Sequence, residues 1–120
     1  MTAETSPPGR PGRHELPIID NAALAAARHA DRLVDAARAA AAAGAPGAAR
    51  WAAFLEPLPD RLRDAPAAEL RSVAHRARAA YGPKDSIAEV LPADLAIAFR
   101  DAIDELVRIL MRHEATERHA

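Results

Sequence analysis

The sequence contains no cysteine. Disulfides, thiolate zinc sites, iron–sulfur clusters and cysteine nucleophiles are thereby excluded. Aromatic residues are scarce, with one Trp, one Tyr and two Phe in 120 residues. No run of about 18 apolar residues occurs, so no segment reads as a membrane-spanning helix. Met1 to Pro17 lacks the apolar stretch of a signal peptide, and the expected location is cytoplasmic. The five glycines form neither a Gly-x-Gly-x-x-Gly turn nor a phosphate-binding loop. Neither sign of charge dominates: sixteen basic against seventeen acidic residues give a formal net charge of −1. A surface built for nucleic acid or anionic lipid usually shows a basic excess.

Alanine and arginine fill the space these absences leave. More than half of the hydrophobic residues are alanine, and Lys84 is the only lysine. Alanine is the strongest helix former, but each buries little area. The expected product is one helical domain with a thin, closely spaced core.

Residues 1–16 carry Pro7, Pro8, Gly9, Pro11 and Gly12 among polar residues, a composition that predicts a disordered tail. The bundle domain is expected over residues 17–114, with a frayed end over 115–120. Asp20 and Asn21 are candidate caps for a first helix over Ala22–Ala43, whose stripe is Ala23, Ala26, Ala30, Leu33 and Ala37. Gly44 stops it. A second helix is expected over Pro46–Glu56, holding Trp51, Phe54 and Leu55, and a short turn follows over Asp60–Asp64 with Leu58 and Leu62 pointing inward. A third spans Pro66–Tyr81 on Leu70, Val73, Ala77 and Tyr81. A cap at Asp85–Ser86 precedes a turn with Ile87, Val90 and Leu91. A fourth, over Ala93–Glu114, carries Leu95, Phe99, Ala102, Ile103, Leu106 and Leu110, widened by Ile97, Val107, Ile109 and Met111 beyond one surface stripe. The fold class is all-α, an up-and-down bundle of about four helices; a hairpin that dimerises into a bundle is the alternative.

No catalytic, metal or cofactor constellation emerges. His113 and Glu117 have metal-ligand spacing but fall in the expected frayed end, and no Glu-x-x-His occurs. Ser72 and His75 share one helix without a third partner to orient them. The chain therefore reads as a non-enzyme. Two functions from different classes stand. One is a protein-interaction module of adaptor, regulatory or immunity type, with Trp51, Phe99, Ile103, Val107 and Met111 as candidate contact residues. The other is a DNA-binding regulator that lays the basic third helix, with Arg71, Arg76 and Arg78, in a major groove. The absence of Asn or Gln to read adenine weighs against the second. The width of the fourth helix's apolar face also predicts a homodimer, since Ile103-Val107-Met111 would otherwise be exposed.

The run Trp51-Ala52-Ala53-Phe54-Leu55-Glu56 resembles the Trp-x-x-Trp/Phe-Leu-Glu pattern of a small uncharacterised family of bacterial helical proteins. Gly82 followed by Ser86-Ile87-Ala88-Glu89-Val90 is similar to that family's Gly…Ser-Ile-x-Asp-Leu stretch, with Asp85 where the pattern carries glycine. The resemblance implies a short helical protein with a role for that loop, alongside toxin or conflict systems.

Overall fold

In the computed structural model Arg13, residues 16–82 and residues 87–118 are described. Most of the expected tail and the Asp85–Ser86 cap lie outside these residues. Five α-helices follow in order, with no strand among the described residues: α1 Pro17–Ala42, α2 Ala48–Leu55, α3 Leu58–Asp64, α4 Ala67–Arg78 and α5 Ala93–Arg118. Short 3-10 turns at Ala79–Tyr81 and Ile87–Glu89 join the last two.

The helices make the four legs of an up-and-down bundle. Arg38 of α1 reaches Glu56 after α2, and Asp31 of α1 pairs with Arg63 of α3, so the second leg runs back along the first. Arg71 and Arg78 of α4 pair with Glu114 and Asp104 of α5, at 2.7 and 2.9 Å, which sets those two helices antiparallel. The second leg is broken in two because Pro57 lacks the N–H that a continuous helix needs and its ring crowds the preceding turn. Pro59 is tolerated because it falls in the first turn of α3.

Helix α1 begins at Pro17, a turn before the expected start. Proline at the first helical position is pre-organised and forfeits only an N–H that has no partner there. Asp20 is accordingly in the first turn rather than at the cap, and it accepts from Arg13 Nε at 2.8 Å. Arg13 and Leu16, assigned by composition to the tail, are packed: Arg13 is buried, and Leu16 lies against the core. The α1–α2 turn places Gly44 and Gly47 at φ of +82° and +80°, where a side chain is strained. Helix α5 continues past Glu114 to Arg118.

The core is built as the stripes require. Ala23, Ala26, Ala27, Ala30 and Ala37 of α1 have no exposed surface, so α5 and the second leg approach closely. Leu55, Leu58 and Leu62 come from the second leg, Leu70 and Ala77 from α4, and Phe99, Ile103 and Leu106 from α5; all are fully buried. Full burial of a side chain such as Phe99 stabilises by about 3 kcal/mol.

Candidate functional site at one end of the bundle

The antiparallel legs bring the starts of α1 and α4 to the end of α5. Two recesses open there, of about 300 and 330 Å³, separated by Leu16 and His113. The first is floored by Ile18, Ile19 and Ile109 and rimmed by Arg112, His113 and Thr116. The second carries Glu114 and Glu117 beside Ala67 and Leu110. One recess is therefore apolar with a basic rim, and its neighbour is acidic.

The exposed isoleucine in the first recess follows from helix geometry. Successive residues on a helix are about 100° apart, so at this end of α1 the two adjacent isoleucines point in different directions. Ile19 is buried, and Ile18 is left 69% exposed, the most exposed large hydrophobic among the described residues. Arg112 has no side-chain ion pair among the described residues; its carbonyl accepts the Thr116 hydroxyl at 3.0 Å. His113 Nε2 is 3.6 Å from Glu117. Arg13 anchors the chain entering this end, donating from Nη1 to the Ala65 carbonyl at 3.0 Å, while its buried Nη2 has no hydrogen-bond partner among the described residues.

A third recess, of about 280 Å³, lies at the other end between Pro46, Gly47, Arg50, Trp51, Glu89 and Val90. Trp51 is half-buried and meets Phe54 edge-on, with centroids 5.7 Å apart.

The residues expected to contact a partner are scattered. Phe99 and Ile103 have no exposed surface and belong to the chain's own core, so neither can offer a contact face. Val107 is packed partly against that core, on the side where the α4–α5 ion pairs close. Of the second stripe Ile103 is buried and Val107 partly so, on the side where α4 packs, which leaves Met111 as its exposed member. Met111 is half exposed. Ile97, also exposed, is on the same outer face of α5, roughly 21 Å along the helix axis from Met111, so the two do not form a contiguous patch. Self-association through α5 would have to use these separated residues.

The three arginines of the DNA-binding reading are engaged within the chain. Arg71 and Arg78 hold α5, Arg78 also lies over the Tyr81 ring, and the Arg76 guanidinium is 5.7 Å from the Phe54 centroid. Tyr81 is itself a pin: its hydroxyl donates to the Ala96 carbonyl, and burial pushes its pKa up to about 12. Among the described residues no group of three His, Asp or Glu side chains could hold a metal ion, and no helix is long and apolar enough to cross a membrane.

The chain matches no protein-family model, no curated protein and no solved structure. These comparisons do not bear on the resemblance seen in the Trp51–Glu56 run, whose Leu55 is core and whose Glu56 pairs with Arg38.

What fold and site define is therefore a class, a small all-α bundle with an apolar groove at one end.

Proposed function

We propose that this chain is a non-catalytic interaction module that engages a protein partner through the groove at the α1–α5 end. The observation that carries the reading is Ile18, which sits on an apolar floor and is 69% exposed. Solvating it costs free energy that a partner's side chain would recover. The rim supplies polar groups around an apolar centre, the arrangement found at protein–protein contacts. Selectively labelled isoleucine methyls give the test. In a lysate of the source cells, the Ile18, Ile19 and Ile109 signals should broaden while Ile97, exposed elsewhere, stays sharp. Uniform broadening, or loss of Ile97 alone, would remove the groove as the contact site.

A further inference from the structure

We propose that the groove's partner is an acidic amphipathic segment of another protein, which seats an apolar side chain on Ile18 and sets a carboxylate against Arg112. This rests on the groove being a docking site and adds the chemistry of what docks. Among the described residues, the ionisable side chains on its rim are Arg112 and His113, and no Asp or Glu lines it. Arg112 carries no side-chain ion pair among the described residues; Arg28, Arg32, Arg50, Arg61 and Arg76 share that state, but none of them lines this recess. An unpaired guanidinium beside an apolar floor complements a carboxylate next to an apolar anchor.

Two other occupants fit less well. Residues 1–12 contain Met1 as their only large apolar side chain, so the chain's own N-terminal segment has little to place on the isoleucines. A second copy whose two-fold axis ran through the groove would set the two rims face to face, Arg112 near Arg112, with no acid among the groove's described residues between them. The acidic recess on the far side of His113, with Glu114 and Glu117, would repel carboxylates and so fixes which side of the wall the acidic segment takes. Helix-in-groove docking reads such partners as apolar anchors at three- and four-residue spacing.

The test uses two labelled synthetic helical peptides with the full-length protein. Both carry leucines at helical spacing; one has glutamates between them and the other has lysines. The contact is small, and binding near 10–100 μM is the order expected. Fluorescence anisotropy should show the glutamate peptide binding about tenfold more tightly than the lysine peptide at low salt. Arg112→Glu should invert that preference, and Arg112→Gln should abolish it. Isoleucine methyl shifts should be confined to Ile18, Ile19 and Ile109. Arg112 is exposed and its side chain holds no other element, so the folded spectrum should persist in both variants. A lysine-peptide preference with shifts at the same methyls would overturn the acidic chemistry and leave the docking site standing. Shifts at those methyls that depend on protein concentration alone would assign the groove to a second copy. No binding of either peptide at 1 mM would overturn both the chemistry and the docking reading.

Discussion

Ala30→Leu tests the alanine seam directly. Ala30 has no exposed surface and belongs to the face of α1 that packs the core. Leucine adds three carbons there. If space were available, burying them would stabilise by about 2.4 kcal/mol, at roughly 0.8 kcal/mol for each. Helix propensity changes by only a few tenths of a kcal/mol and cannot decide the outcome. In a close-packed seam the added carbons instead force off-rotamer side chains and backbone shifts, costing about 1–3 kcal/mol. The two cases thus differ in sign. For a domain near 100 residues each kcal/mol moves Tm by about 4–8 °C, so a fall of roughly 5–20 °C is expected by circular dichroism. Ala39→Leu, on the exposed side of α1, is the control and should leave Tm within a few degrees. A rise in Tm for Ala30→Leu would refute the close approach of α1 to its neighbours.

Further outcomes follow from the same packing. Phe99→Ala should lower the unfolding free energy by about 3–5 kcal/mol in urea titration, since the fully buried ring leaves a cavity. Val107→Glu should destabilise the folded chain itself, because its carboxylate would enter the α4 seat; an unchanged urea midpoint would contradict that packing. Tyr81 should titrate near 12 by ultraviolet absorbance. Its folded pKa is raised, so the neutral phenol favours the fold; that contribution, on the order of 1–2 kcal/mol after allowing for partial exposure, is complete below about pH 10 and lost as pH rises towards 12. Arg13→Ala should cost about 1–3 kcal/mol through the freed Ala65 carbonyl and the lost ion pair with Asp20, towards the low end because it also removes an Nη2 that has no partner among the described residues.

The stripes were legible because each obeys one period. Leu33 and Ala37, Leu70 and Ala77, and Phe99, Ile103 and Leu106 are buried where spacing places them. Boundaries were harder where two local signals competed. Asp20 and Asn21 looked like caps, yet Pro17 could begin the helix earlier and Arg13 could hold Asp20 instead. The wide face of α5 was visible, but periodicity does not say how many helices share it; α5 packs on both α1 and α4 and needs both stripes. The groove had the weakest signal. It forms only when the start of α1 meets the end of α5, far apart in sequence. The Ile18-Ile19 pair was its one local trace, two large apolar residues about 100° apart at a helix start with no neighbouring element yet to cover both.

The most direct measurement of the central claim is matched affinity capture from source-cell lysate with wild-type protein, Ile18→Asp and Ile97→Asp. Both variants place a carboxylate at an exposed isoleucine, 69% and 43% accessible, so neither should unfold the bundle. Only Ile18 lines the groove. A specific partner should be retained by wild type and Ile97→Asp and lost with Ile18→Asp. Retention of the same partner by Ile18→Asp, with Ile97→Asp losing it, would contradict the account and move the contact face to the outer side of α5.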